Sequence, residues 1–228
     1  MQGLTDLKSW SETNFVAWEL ENESGTLQIT LKNPLPNFFI EIYYTLKSPV
    51  AGLRFFGNKG RNFVVTEAQH ENKRLWMPCN DTLHSIYPLS IDFKVPHGYI
   101  VIASGELREK LEDPNWRWFK YVAENIYIDT FGFVVGQFDN ILEDAHLSYV
   151  THFSVDKDIK YTVAAKFTTA QIISFFAEQV GSAFPFTQFK QVFVPELGSS
   201  AQFSGLSILD EKWILNSKCF DGVLDTMW

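Results

Sequence analysis

Five histidines are the residues of this 228-residue chain with the clearest capacity to bind a catalytic metal: His70, His84, His97, His146 and His152. Zinc-dependent peptide hydrolysis commonly uses the helical motif H-E-x-x-H, in which two histidines one turn apart bind the metal and the glutamate acts as the base. No two histidines here have that spacing, and His146 and His152 are six residues apart in a segment predicted as loop and strand. We therefore predict no metal site, no cofactor and no catalytic residue in this chain.

Patterns for phosphate and nucleophile chemistry are also absent from the sequence. There is no P-loop, no G-x-G-x-x-G and no G-x-S-x-G. A small basic cluster, Arg54, Lys59 and Arg61, lies beside Phe55 and Phe56. It is compatible with a nucleic-acid-binding loop, but a solvated hairpin turn is favoured. The 19 basic and 27 acidic residues give a net charge of −8, so we expect only weak binding of this chain to duplex DNA.

Composition indicates a globular protein with a large aromatic core. Apolar residues make up 46% of the chain and aromatic residues 16%, which is typical of a folded and not of a disordered chain. Two cysteines, Cys79 and Cys219, suggest no disulfide framework and fit a reducing compartment. We expect neither a signal peptide at the amino terminus nor a membrane span, because no apolar run approaches about 20 residues.

The elements that must position these residues are mostly strands. Leu27, Ile29 and Leu31 alternate with polar residues, as in a half-buried strand, and residues 38–46 are predicted to be its partner. Trp116 and Trp118 lie in a further strand, where packing in the sheet is favoured over a binding surface. The remaining predicted strands are 53–56, 63–65, 91–95, 100–105, 116–122, 127–135, 147–153, 190–194 and 206–209, with 139–146 as a linking loop.

A helix is predicted after this series of strands. Thr168 and Gln171 match a capping box, so the helix is expected to begin at Thr168 and to end before Pro185. Ile172, Phe176 and Val180 would line one face of this helix, and the helix would pack on the strand 190–194. A strand–helix–strand unit after so many strands indicates a change of domain near residue 153.

Residues 184–209 form the most informative stretch of the sequence. A break at Pro185 precedes a buried-strand pattern, a turn of small polar residues and a second apolar run. This frame resembles a signature of the gluzincin aminopeptidases, P-Y-x-K-x-D-x-V-x-V-P-x-F…G-x-M-E-N-W-G-L, in which a strand presents G-x-M-E-N along the substrate cleft. Aligned from Gly205, the five positions of G-x-M-E-N hold Ser199, Ser200, Ala201, Gln202 and Phe203.

The resemblance implies that these five residues have lost the chemistry of the motif. In an exopeptidase the glutamate of the motif accepts a charge-assisted hydrogen bond from the substrate ammonium, and Gln202 lacks the negative charge. Ser199 replaces the glycine that allows close backbone approach, and Phe203 replaces the polar asparagine. We therefore expect a degenerate substrate motif and no enzymatic activity. An alternative is that residues 199–204 form only a turn between two strands.

Two further segments resemble the same superfamily. Residues 71–81 are similar to A-R-x-x-F-P-C-x-D-E-P, with matches at Arg74, Pro78, Cys79 and Asp81. Residues 131–138 are similar to the strand Y-L-x-A-F-x-V-G-x-F. A structural role is expected for Cys79 in any case, because free cysteine is among the most frequently buried residue types.

Within this superfamily the chain resembles the TFIID subunit 2 family, whose members have an aminopeptidase-like fold. The resemblance rests on residues 72–81, which contain Trp76 but lack the Glu-Pro of the enzymes, and on P-F-T-Q-F-K-Q-V-F-V at 185–194 and S-G-T-L-Q-I-T-L at 24–31. It implies a mainly β fold with a smaller α+β part. Residues 1–153 would be an incomplete β saddle domain, and residues 154–228 the beginning of a thermolysin-like domain.

The function implied by this resemblance is that of a non-catalytic scaffold in RNA polymerase II transcription initiation. Such a protein would assemble with other TFIID subunits in the nucleus, would contact promoter DNA only through regions outside these residues, and would need no membrane or small-molecule substrate. One alternative is a zinc aminopeptidase whose metal-binding helix lies beyond Trp228. Another is a binding module of unrelated function on a similar sheet.

Overall fold

The computed structural model describes residues 4–9, 15–21, 26–33, 40–47, 49, 51–58, 60–67, 72–82, 84–144, 147–155 and 159–213. Strands predominate in these ranges, so the predicted mainly β class is confirmed. The first eight strands are β1 (Leu4–Ser9), β2 (Phe15–Glu21), β3 (Thr26–Leu31), β4 (Ile40–Tyr44), β5 (Leu53–Asn58), β6 (Arg61–Thr66), β7 (Ile86–Pro96) and β8 (Ile100–Ala103). The later elements are β9 (Glu106–Glu112), β10 (Trp116–Tyr127), β11 (Phe133–Gly136), β12 (Asn140–Glu143), β13 (Val150–Ser154), α1 (Ile159–Val180), β14 (Phe189–Val194), β15 (Ala201–Phe203) and β16 (Leu206–Asp210).

The strands form five sheets. Two are antiparallel pairs, β1 with β4 and β2 with β3. The other three have the orders β7-β10-β9, β5-β6-β11-β8 and β12-β13-β14-β16-β15. None of the helices in the described ranges combines the length and the apolar character that are needed to cross a bilayer.

The four-stranded sheet is buried on both faces. Alternate residues of its strands, such as Phe63 and Val134, pack on one side against Val192 and Ile208 of the five-stranded sheet. The intervening residues face the three-stranded sheet and the loop that carries Trp76. Each fully buried Val, Leu, Ile or Phe side chain contributes roughly 1.5–3 kcal/mol through the hydrophobic effect. These two layers of contact therefore constitute the core of the described chain.

The five-stranded sheet contains the predicted strand–helix–strand unit. β13 and β14 are parallel, α1 connects them, and β16 is parallel to β14. The sheet also takes β12 from residues that precede α1, and β12 pairs with β13 in antiparallel orientation. Two strands of this sheet, β12 and β13, thus come from residues 140–154. The predicted division into two domains after residue 153 stays a prediction.

Three predictions about the strands were wrong. The partner of β3 is β2, and residues 40–44 pair with β1 instead. Residues 127–135 do not form one strand, because a 3₁₀ turn at Ile128–Thr130 separates β10 from β11. Residues 139–146 are not only a loop, because Asn140–Glu143 forms β12. Apolar content indicated extended segments correctly, but it did not specify pairing partners or short interruptions.

The predicted start of the helix was also wrong. α1 begins at Ile159, nine residues before Thr168, so Thr168 lies inside the helix and does not cap it. Residues 159–167 contain no glycine or proline that would oppose a helix. The end was predicted within five residues: α1 stops at Val180, and Gly181 follows with a φ of +70°, the left-handed conformation typical of a helix C-terminus.

Lys190 of β14 links the five-stranded sheet to β8 and to the turn that follows β8. Its buried ammonium donates hydrogen bonds to the carbonyl of Ala103 at 2.9 Å and to the carbonyl of Gly105. The same ammonium lies 5.1 Å from the centre of the Tyr121 ring. Burial lowers the pKa of Lys190 to about 8, an effect that Glu106 opposes.

Because the pKa of Lys190 is lower in the folded chain, the unfolded chain binds more protons than the folded chain between about pH 8 and the ordinary lysine pKa of 10.5. Lys190 should therefore contribute increasing stability as pH rises through this window. We predict that the difference in free energy of unfolding between the parent chain and Lys190→Met changes in favour of the parent by about 1–2 kcal/mol from pH 7 to pH 9.5. Urea unfolding at intervals across this range tests the prediction; parallel pH curves for the two proteins would contradict it. Cys79 titrates in both proteins, so its contribution cancels in the difference.

Candidate functional site

The five residues that were predicted to form a degenerate motif lie at one edge of the five-stranded sheet. Ala201, Gln202 and Phe203 form β15, which pairs in antiparallel orientation with β16. Ser199 and Ser200 are exposed in the loop before it, Ala201 is buried and Gln202 is exposed. The alternative, in which residues 199–204 form only a turn, therefore does not describe residues 201–203, which form a short strand. It describes only the residues on either side of that strand.

The loop that leads into β15 is anchored at two points. The carboxylate of Asp210 accepts hydrogen bonds from the backbone N–H of Gly198 at 2.5 Å and of Lys212 at 3.0 Å. The guanidinium of Arg54 donates to the carbonyl of Leu197. These bonds reach the loop from β5 and from the end of β16, and they hold the two residues that precede Ser199.

Phe203 closes one end of the site. Its ring packs so closely on Gly132 that a Cβ atom at residue 132 would lie 2.3 Å from ring carbons. The backbone N–H of Ser204 donates to the carbonyl of Thr130 at 2.9 Å, and the two hydroxyl oxygens of these residues are 2.6 Å apart. Phe203 also packs against the core cluster that contains Leu206. The outer side of β15 is therefore occupied at this end by the segment that leads into β11.

A small cleft remains at the other end of the site. It has a volume of about 170 Å³, and its polar lining comes from Arg54, Thr66, Glu67, Ser199 and Ser200. Gln202 does not line this cleft, although the side chain is exposed. The residue at the position of the motif's glutamate thus lies outside the cleft that persists beside Ser199.

A buried cation lies close to the ring of Phe203. The ammonium of Lys73 lies 5.1 Å from the centre of the Phe203 ring, a geometry suited to a cation–π interaction. Lys73 is fully buried, and its ammonium has no hydrogen-bond partner among the described residues. Burial lowers the pKa of Lys73, and the nearby acidic groups Asp129 and Asp81 oppose this shift. The aromatic ring therefore supplies electrostatic stabilisation to a charge that is removed from water.

Lys73 is held in place by the loop that resembles the second aminopeptidase motif. Asp81 accepts hydrogen bonds from the backbone N–H of Arg74 at 3.0 Å and from its guanidinium at 3.3 Å, which closes the loop. Trp76 packs edge-on against Phe133 at a centroid distance of 5.4 Å. Burial raises the pKa of the Cys79 thiol to about 12, and Asp81 adds to this effect. A thiol with so high a pKa stays protonated and unreactive near neutral pH, which favours the structural role expected for Cys79.

His152 takes part in a buried polar network and is not near the motif residues. Its Nδ1 lies 3.0 Å from Oε1 of Gln191, and its Nε2 lies 3.9 Å from Oδ2 of Asp144. The hydroxyl of Thr169 donates to the same oxygen of Gln191, so the network connects α1 with β14. Across the described ranges there is no group of three His, Cys, Asp or Glu side chains that could hold a metal. His70 and His146 lie outside those ranges, and the absence of zinc stays a prediction.

The basic and aromatic residues singled out in the sequence have partners within the protein. Arg61 bonds to Asp139 at 2.7 Å and to the carbonyl of Gln137 at 3.1 Å. Together with the contact between Arg54 and Leu197, these bonds favour a structural hairpin turn over a nucleic-acid-binding loop. Lys59 lies outside the described residues.

On the three-stranded sheet, Lys94 lies 4.8 Å from the Trp116 ring and 5.1 Å from the Trp118 ring.

Two residues of the site were not identified from the sequence. Lys73 and Gly132 both contact Phe203, and both belong to segments that resemble aminopeptidase motifs. A lysine shortly before the apolar run 75–77, and a glycine within an otherwise bulky apolar run, were the available signals. Neither pattern indicates which distant residue the side chain or backbone will meet.

No protein-family model matches the chain. Three curated relatives are similar to it. One, from Drosophila melanogaster, is 27% identical over 170 residues, which cover 69% of this chain and 14% of that protein. One from Gallus gallus is 22% identical over 80% of this chain and 16% of its own length. One from Danio rerio is 26% identical over 69% of this chain and 14% of its own length.

All three relatives are subunits of a general transcription initiation factor. Each is named transcription initiation factor TFIID subunit 2, so the predicted resemblance to that family is confirmed. The chain spans only about one-seventh of the length of these relatives. The wider resemblance to the gluzincin aminopeptidases, including the saddle form of the first domain, stays a prediction.

The contact between Gly132 and Phe203 can be tested by a double-mutant cycle. We predict that Gly132→Ala lowers the free energy of unfolding by about 1–3 kcal/mol, because the added methyl group overlaps the ring of Phe203. In a Phe203→Ala background the same change should cost less than about 1 kcal/mol, since the ring is gone. Chemical denaturation of the four proteins gives the coupling energy. Equal costs in both backgrounds would show that the ring does not restrict residue 132.

Proposed function

We propose that this chain is part of a non-catalytic, aminopeptidase-like subunit of the general transcription factor TFIID. The observation that carries this proposal is the similarity to TFIID subunit 2 over 69–80% of the chain. In this role the protein acts in the nucleus during RNA polymerase II transcription initiation. Its partners are other TFIID subunits, and any contact with promoter DNA is made by regions outside these residues, because the net charge of this chain is −8.

The chemistry of the motif segment supports the non-catalytic part of the proposal. A neutral amide, Gln202, stands where an exopeptidase would need a carboxylate to balance a substrate ammonium. Phe203 fills the space over Gly132, and the remaining cleft does not include Gln202. Space that an enzyme would use for a peptide is thus partly used for packing. On this proposal the segment serves the stability of the sheet and not the recognition of a substrate.

The proposed partners can be tested with the affinity-tagged chain in nuclear extract from the organism that encodes it. We predict that quantitative mass spectrometry detects at least about tenfold enrichment of other TFIID subunits over the tag alone. Enrichment should fall in parallel with the folded fraction of Gly132→Ala, because specific binding of partner subunits requires the folded chain. A well-folded chain that enriches no TFIID subunit would contradict the proposed role.

The proposed absence of catalysis can be tested by restoring the motif. We predict that neither Gln202→Glu nor the combination Ser199→Gly, Gln202→Glu and Phe203→Asn hydrolyses an amino-acid amide above the rate of the parent chain in the presence of zinc. No pair of histidines has the ligand spacing that would bind and position the metal. Turnover that appears in either variant and disappears with a chelator would show that a functional metal centre exists, and the non-catalytic proposal would be wrong.

A further inference from the structure

A second groove, here called the hairpin groove, lies between the β9–β10 hairpin and the segment that leads into β14. Its volume is about 410 Å³, within the range of roughly 300–1,000 Å³ that is usual for ligand sites. It shares no lining residue with the cleft beside Ser199. One wall consists of Gly105, Glu106, Arg108 and residues 122–125, and the other consists of residues 185–188, Ser204 and Gly205.

Two β-bulges occur in the wall that the hairpin supplies. The pairing of β9 with β10 shifts after Lys120, so that Arg108 is an extra residue of β9. The pairing of β10 with β7 shifts after Ala123, so that Glu124 and Asn125 stand opposite one residue of β7. Arg108, Glu124 and Asn125 all line the groove. A bulge redirects side chains and interrupts pairing, and bulges are over-represented beside functional sites.

The same wall contains a length of strand edge that is free. β9 pairs with β10 only as far as Val122, whereas β10 continues to Tyr127. Within the described ranges, residues 123–127 pair with β7 alone. The chain before β9 leaves this edge at Gly105, whose φ is +84°. The backbone of residues 123–125 can therefore accept an extended polypeptide segment as an added strand, a common mode of peptide recognition.

The opposite wall provides an aromatic contact. Phe186 is 41% exposed. Its ring packs edge-on against Phe184 at a centroid distance of 5.5 Å, and Phe184 stacks on Tyr149 at 5.6 Å. Phe186 is thus held on one side by an aromatic cluster while its other side stays open to the groove. Such a ring is suited to an apolar side chain of a bound segment.

The charges around the groove favour a cation in the same segment. Glu106 is bonded to Arg108 at 3.0 Å and also acts on the ammonium of Lys190. Both nearby cations are therefore matched to Glu106. Glu124 is exposed and forms no ion pair in the described part of the chain. A lysine or arginine of a bound segment would complement this remaining carboxylate.

We propose that the hairpin groove binds an extended segment of a partner protein that carries an apolar residue and a lysine or arginine on the same side. Alternate residues of a strand share one side, so the two residues are two or four positions apart. The apolar side chain packs on Phe186, the cation pairs with Glu124, and the main chain pairs with residues 123–125. The groove would select such a segment whatever assembly the protein joins.

The proposal is tested with a synthetic library of random nine-residue peptides on beads, exposed to the fluorescently labelled chain. We expect selected peptides to be at least about threefold enriched in lysine and arginine two or four positions from an aliphatic or aromatic residue. The chain with Glu124→Lys should select aspartate and glutamate at those positions instead. The matched control, Glu109→Lys, makes the same charge change at an exposed residue of β9 outside the groove and should keep the parent's preference.

Each other outcome of this selection overturns the proposal. Either a library that yields no bound peptide or a basic preference that survives Glu124→Lys would show that the groove does not select by this charge. A preference that Glu109→Lys abolishes equally would show that only the net charge of −8 attracts basic peptides.

A second measurement locates the most enriched peptide on the protein. Phe186→Ser should weaken its binding about tenfold in fluorescence anisotropy, because the apolar residue of the peptide loses its aromatic contact. The matched control, Phe176→Ser, removes a phenylalanine of α1 that is 59% exposed and should leave the affinity unchanged. Equal urea midpoints would establish that both variants are folded. Equal loss of binding in the two variants would indicate adhesion to any exposed phenylalanine and would contradict the proposed site.

Discussion

Burial of the four-stranded sheet on both faces is the constraint on which the rest of the structure depends. Its strands must present apolar side chains in both directions, which explains the continuous apolar runs of β8 and β11. One face of this sheet packs against the five-stranded sheet, at residues such as Val192 and Ile208 of that sheet. The other face packs against the three-stranded sheet. Neither outer sheet has another described layer of comparable apolar contact. Loss of packing in the middle sheet would therefore separate both neighbours at once.

The candidate site follows from this arrangement. β15 is short and lies at the edge of the five-stranded sheet, so its position depends on contacts with the segment that enters β11. Phe203 completes these contacts by packing on Gly132, and the ammonium of Lys73 lies 5.1 Å from the centre of its ring. Residues from three segments that are far apart in sequence thus meet at one aromatic side chain. The segment that resembles a substrate motif is part of the packing between layers.

The sequence predicted local features better than long-range ones. Alternation identified β3, and the buried pattern identified β14, because side-chain periodicity depends only on neighbouring residues. The partner of β3 and the start of α1 were missed, since pairing and helix length depend on tertiary contacts and on residues that tolerate several conformations. Ser199 to Phe203 lie at or beside a sheet edge, while their assignment to the motif stays a prediction. The contacts of Phe203 with Lys73 and Gly132 could not be inferred, because they join residues about 130 and 71 positions apart.

The close approach of Phe203 to Gly132 has a consequence for how this chain can change over generations. A side chain at residue 132 is tolerated only after the ring at residue 203 has become smaller. The two positions are therefore epistatic, and the order of substitution matters: residue 203 must change first. The reverse order passes through a destabilised intermediate, so selection would restrict mutational paths that begin at residue 132 more than paths that begin at residue 203.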